Sequence, residues 1–176
     1  MKPITRLLTI VCLAAPAVLA LAEDASTVTK HVQGEMNKFV AACKKKDMKT
    51  ADGVILANFS PTCKLIGMDG KSTPLKAWIK QQDDQMKMTK SVTSMSLKLT
   101  KGSLKGNTFT GLESFSETGT MPNPKDPKKA SKFVVSGTAV MQMEKKNGKW
   151  WVTKRTEKSM SMTVDGKPFR PSATKT

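Results

Sequence analysis

An α+β domain, with helices packed on one face of a curved antiparallel sheet, is the fold class this sequence predicts. Two observations carry that expectation. Apolar residues recur at helical spacing from Val28 to Met86, then alternate at strand spacing from Val92 to Val164. Helices gathered ahead of a long run of strands are the order of an α+β plan rather than of alternating parallel units.

Each element follows from local residues. Val28, Val32, Met36, Phe39, Val40 and Cys43 step by three and four, which places them on one stripe of a helix over residues 26–46, with Ser26 or Thr27 as cap. Asp47 caps a second, shorter helix through Ala51, Val54, Ile55 and Leu56, closed before Pro61. Residues 63–68 read as a strand and Asp69-Gly70 as a turn. Thr73-Pro74 opens a third helix, proline being favoured at the first helical position, with Leu75, Trp78, Ile79, Gln82 and Met86 on one face. Strands follow at about 92–100, 107–117, 131–144 and 149–164. The stretch TGTMPNPKDPKKA is too rich in proline to pair and reads as a long, basic, mobile loop. Residues 165–176 read as a flexible tail.

The first 22 residues read as an address. Lys2 and Arg6 precede an apolar run, and Ala20-Leu21-Ala22 has the small-x-small form of a cleavage site. That run, broken by Pro16, is shorter than the roughly 20 residues that cross a bilayer. The expectation is a signal peptide at 1–22 and a single mature domain at 23–164 with no transmembrane segment. Cleavage near Ala22 would place the protein in the periplasm or outside the cell. Cys12 leaves with the leader, and an oxidising compartment favours joining Cys43 to Cys63; two buried free thiols are the alternative. Two of the 30 basic residues and none of the 14 acidic ones leave, so the net charge falls from +16 to about +14. The lysines are scattered and aromatics few, so no specific nucleic-acid motif is present, and a solvated basic surface accounts for the charge.

The stretch AVMQMEKKNGKWWVTKRTEKSMSM, from Ala139 to Met162, carries the densest information. Asn147-Gly148 between two apolar runs is a strong signal for a two-residue type I′ hairpin. It pairs Lys146 with Lys149, Met143 with Val152 and Met141 with Lys154. One face then collects Met141, Met143, Trp150, Val152 and Met160, while Trp151, Val134 and Val140 lie on the other, where a partner subunit can cover them. Thioethers suit Cu(I), but this register sets Met160 opposite Val135 and the two Met-x-Met pairs roughly 20 Å apart. Methionine as adaptable core filler is the reading kept. The insert TKRTEK, residues 153–158, has no apolar face. Either a bulge rotates the strand toward water, or Lys154 and Lys158 line the mouth of a wet pocket, since a lysine in a dry core is costly.

KKKDMKTA after the first helix, NFSPTCKLIGMDGK after the second, and NGKWWVTK in the closing hairpin give an order of elements that resembles the nuclear transport factor 2-like superfamily over residues 26–164. Within it the chain looks like the SnoaL-like branch. The resemblance implies a cone-shaped, cystatin-like fold with a pocket between sheet and helices, often as a homodimer. It does not fix function, because enzymes and binders share the fold. Isomerases and dehydratases of that superfamily are expected to join a carboxylate or histidine to a tyrosine donor. This chain has no tyrosine and one histidine. His31 with Glu35 one turn on is the remaining candidate for a general base. One histidine and two cysteines leave no zinc-like spacing, and no cofactor motif is present.

The leading expectation is therefore an exported, non-catalytic binder of a small apolar or amphiphilic anionic ligand. Trp78, Met141, Met143 and Trp150 would hold it, with Lys154 at the rim. The alternatives are an isomerase-, dehydratase- or cyclase-type enzyme, and a structural or interaction protein that uses the outer sheet face.

Overall fold

Aspartates set the starts of the first two helices. In the computed structural model, which describes residues 23–123 and 125–169, α1 (Ala25–Lys44) starts at Asp24, whose carboxylate accepts the Thr27 N–H at 2.6 Å. The cap thus lies just ahead of the serine and threonine expected there. Helix α2 (Met48–Asn58) starts at Asp47, which takes both the N–H and the hydroxyl of Thr50. Strand β1 (Phe59–Ile66) follows directly and includes Pro61, earlier than the strand expected from Cys63. Its pairing shifts between Phe59 and Lys64, where a missing N–H loses no ladder bond. After the Asp69-Gly70 turn and β2 (Ser72–Thr73), α3 (Leu75–Met88) begins, with Pro74 in the capping position. Four long strands complete the sheet: β3 (Ser91–Lys105), β4 (Thr108–Pro122), β5 (Ala130–Lys146) and β6 (Lys149–Val164).

The strand order is β2-β1-β6-β5-β4-β3. The sheet is mixed rather than wholly antiparallel, because β1 runs parallel to β6. No hairpin joins those two strands, so no turn dictates their relative direction. The curved face packs on the helices, and phenyl rings lie over glycines across the strands. A Cβ on Gly137 would meet the Phe115 ring at 2.5 Å, and one on Gly119 would meet the Phe133 ring at 2.8 Å. Only glycine lets the sheet bend under those rings.

Three expectations are corrected here. The proline-rich stretch is shorter as a loop than expected, because β4 and β5 pair as far as Pro122 with Ala130. Asn123 stands in for the missing ladder there, accepting from the N–H groups of Lys125 and Asp126 and donating to the Ser131 hydroxyl. The tail does not start at Asp165, because a turn there leads into β7 (Lys167–Pro168) on the edge of β6. The Asp165 carboxylate accepts from the buried Ser131 hydroxyl at 2.7 Å and from the Lys132 N–H at 2.9 Å. The expected disulfide is absent. Cys43 packs with Ala42, Ala51 and Met86, while Cys63 faces the main core beside Leu65, so each thiol fills its own apolar cluster. The signal peptide at 1–22 and the rest of the tail, 170–176, lie outside the described residues.

Candidate functional site

The Asn147-Gly148 turn forms as its residues dictate, with φ of 52° and 78°, and sets Lys146 against Lys149 and Met143 against Val152. One residue later the register slips. Gln142 faces Lys154, Met141 faces Arg155, and Thr153 is the extra residue of a bulge. A second slip, at Lys158, puts Ala139 against Glu157 and Thr138 against Ser159. Because side chains alternate, the first slip exchanges the faces of the residues that follow it, and the second, just beyond Glu157, restores them. Lys154 turns outward with Gln142, and Arg155 and Glu157 turn inward with Met141 and Ala139. Of the two readings of the insert, the bulge is the one realised. Met160 consequently lies opposite Gly137 rather than Val135, so the two Met-x-Met pairs are closer along the strand than the unbroken register gives.

The inward turn creates a buried charged cluster. Glu113 on β4 is 3% exposed and Arg155 9%. The Arg155 Nε lies 3.2 Å from both Glu113 oxygens, Nη2 donates to Oε1 at 2.7 Å, and Nη1 donates to Glu157 at 3.2 Å. The pair is a two-pronged, charge-assisted contact. Two rings lie near the guanidinium, Trp78 of α3 at 5.9 Å and Phe115 of β4 at 5.8 Å. Trp78 stacks in turn on Phe59 at 6.0 Å. Burial works against the guanidinium charge, and Glu113 with Glu157 outweighs it, holding Arg155 above its ordinary value. The Cys63 thiol nearby is pushed up to about 11 by burial, against the opposing pull of Arg155.

Three further carboxylates border this end of the cone. Glu117, two positions along β4 from Phe115, lies between Met95 and Val135 and has no protein hydrogen-bond partner among the described residues. Burial raises it above the usual carboxylate range. Asp52 of α2 and Asp83 of α3 each bury one oxygen without a partner, and burial, followed by the charge of Asp83, raises Asp52. In a chain of net charge +16, this corner sets three glutamates against one arginine.

No family model and no curated protein matches the sequence. Solved structures do match. A nuclear transport factor 2-like superfamily protein from Salmonella enterica aligns with a TM-score of 0.54 at 16% identity, over 76% of this chain and 92% of that one. A putative scytalone dehydratase from Novosphingobium aromaticivorans gives 0.59 at 9%, over 77% and 87%. A type 2 hexachlorocyclohexane dehydrochlorinase gives 0.59 at 10%, over 84% and 95%. This is the nuclear transport factor 2-like fold.

Within the nuclear transport factor 2-like cone, the predicted site residues separate. Met141, Met143 and Trp150, at 4%, 2% and 5% exposure, lie in the filled narrow end around Phe109. The indole of Trp150 is edge-on to Phe109 and donates to Glu23 at 2.9 Å. Trp78 alone of the predicted set reaches the charged cluster, and Lys154 lies on the opposite face of the sheet because of the bulge. His31 is exposed on α1. Glu35 is committed to Lys38 at 2.6 Å and Asn58 at 3.2 Å, and the Lys38 contact holds it below the usual range. Glu113, Arg155, Glu157, Phe115 and Phe59 were missed. A signal existed for the first: β4 alternates Phe109, Gly111, Glu113, Phe115, which puts a charge at an inward position. Among the described residues no group of three or more His, Cys, Asp or Glu is placed to hold a metal. Among the described residues no helix is long and apolar enough to cross a membrane.

Proposed function

We propose that the chain is an exported, non-catalytic module that binds one small apolar or amphiphilic molecule at the wide end of the cone, between the sheet and α3. The carrying observation is the buried Arg155, bonded to Glu113 and Glu157 and lying 5.9 and 5.8 Å from the Trp78 and Phe115 rings, at the point where the apolar lining stops. A buried ion pair gives little net stability compared with apolar residues of the same shape, so recognition accounts for it better than folding does. Apolar walls with a few placed polar groups are the make-up of small-molecule sites.

The head group follows from the charges. Arg155 spends its hydrogen bonds on two carboxylates, and the partly exposed Glu157 has acceptor capacity to spare. The site therefore suits a cationic or hydrogen-bond-donating head beside Glu157, with the apolar part against Trp78 and Phe59. This replaces the anionic head group expected when Lys154 stood at the rim. Calorimetric titration with decylammonium, decanol and decanoate tests it. Decylammonium should bind at least tenfold more tightly than decanoate, and Glu157→Gln should remove that preference. The reading fails if none of the three binds, or if decanoate binds best. Export is tested by sequencing the amino terminus of the protein from its host, which should begin at Glu23.

A second reading, an enzyme that abstracts or transfers a proton, draws on Glu117. A half-buried carboxyl raised by burial and free of protein partners is what a general base at neutral pH requires. The structural neighbours titled dehydratase and dehydrochlorinase are of that reaction class. Turnover of any substrate that is lost in Glu117→Gln while binding persists would favour this reading over the first. A homodimer through the outer face has weaker support. Ser114, Ser116, Ser136, Thr138, Ser159 and Ser161 cover the middle of that face, and the Lys149 ammonium caps Trp151 at 4.0 Å. Light scattering decides it.

A further inference from the structure

Strand β3 is an edge of the sheet, paired on one side only, with β4. On its free side the Gln33 side chain of α1 takes two backbone groups. Nε2 donates to the Leu97 carbonyl at 2.8 Å, and Oε1 accepts the Leu99 N–H at 2.9 Å. One amide side chain thus does what a peptide group of a neighbouring strand would do. The alternation of an antiparallel ladder fixes the rest of the row. The Leu97 N–H, the Leu99 carbonyl and both backbone groups of Met95 point away from β4, and no backbone group of the described residues meets them.

Beside that row, α1 and β3 enclose a groove of about 610 Å³. Val40, Ala41 and Met95 give it an apolar floor, Asn37 adds an amide, and Lys44 and Lys98 stand at its sides. None of the residues that line it is acidic. Unpaired backbone donors and acceptors at two-residue spacing, roughly 6.6 Å, match the backbone of an extended peptide. Apolar and basic walls beside them select alternating apolar and acidic side chains.

We propose that this groove takes an extended acidic segment of a partner protein, which lies along β3 as an added strand. Strand addition at a free sheet edge draws affinity from the main chain and specificity from the flanking side chains. A second copy of this chain is the poorer occupant, because edge-to-edge pairing would bring together Lys98, Lys101 and Lys105 of both copies. The site is separate from the charged cluster at the wide end and stands whether or not that cluster binds a ligand.

The test is a nuclear magnetic resonance titration, to millimolar concentration, with an acetylated and amidated eight-residue peptide of alternating glutamate and valine. Binding should slow exchange of the Leu97 and Met95 amide protons at least tenfold. Lys44→Glu combined with Lys98→Glu, both at exposed positions, should weaken binding at least tenfold while leaving the spectrum of the folded protein intact. The same peptide N-methylated at alternate residues should not bind. The proposal is overturned if the N-methylated peptide binds equally well, which would mean a charge contact alone. It is also overturned if an alternating lysine-valine peptide binds as tightly, if nothing binds at millimolar concentration, or if the free protein dimerises with loss of Leu97 amide exchange.

Discussion

At the narrow end of the cone, strands β4, β5 and β6 contribute Phe109, Met141, Met143, Trp150 and Val152, all of them buried. A few residues further along the same strands, the same face carries Glu113, Glu117, Arg155 and Glu157. The narrow end gains stability from apolar area and close packing. The wide end puts charges out of water and satisfies them through one two-pronged contact and two rings. Little in strand propensity separates the two regions. The difference lies in the Thr153 bulge, which ends the apolar register of the hairpin and brings the charged half of β6 inward.

The comparison can be broken most directly at the narrow end. Phe109→Ala should cost about 3–5 kcal/mol in denaturant unfolding, since a fully buried ring leaves a cavity its neighbours cannot fill. A loss under about 1 kcal/mol would mean that this end is not close-packed. At the wide end, Arg155→Met alone should cost about 3–5 kcal/mol, because Glu113 is left buried and uncompensated. Combining it with Glu113→Leu should return stability to the parent value or raise it by roughly 1–4 kcal/mol. A double variant as unstable as the single one would assign the pair to folding rather than to recognition.

A smaller effect sharpens the contrast through pH. Burial raises the Glu117 carboxyl, so the folded state holds that proton more firmly than the unfolded state does. Its contribution to stability therefore falls as pH rises from the ordinary value of 4.5 through the raised one. Glu117→Gln removes this loss, and the variant should be more stable at pH 7, with the gain fading below pH 4.5. A stability difference that does not change with pH would show that Glu117 is solvated. The smallest effect concerns the thiols. With Cys43 pushed up to about 12 and Cys63 to about 11 by burial, neither should react with iodoacetamide in the folded protein at pH 8. Both should react in denaturant without reductant, and a mass showing one disulfide would mean that Cys43 and Cys63 are joined.

Much of the cone was legible in the sequence because it rests on local rules. The period of α1, the aspartate before α2, and the Asn-Gly turn each need only a few neighbouring residues, and each forms as read. What failed depends on contacts distant in sequence. Proline beyond Met121 suggested a loop, yet Asn123 and Asp165 supply the bonds that keep β4, β5 and β6 together there. The alternation rule reached Met143 correctly and misplaced Lys154, because nothing in TKRTEK states where the extra residue falls. The wide-end site was missed for the same reason: its members share a face only after the slip.

The bulge also makes the strand divisible. Residues before Thr153 and residues after it keep separate reading frames, so one inserted residue taken into the ladder beside the bulge would turn Lys154 inward and Arg155 outward without moving the hairpin. A lineage can rewrite the interior chemistry of such a cone with one codon, while the packing that folds it stays fixed. Position-by-position alignment with solved structures of the same fold at 9–16% identity would then compare inward residues with outward ones. Strand phase, not residue number, is the coordinate in which their interiors should be compared.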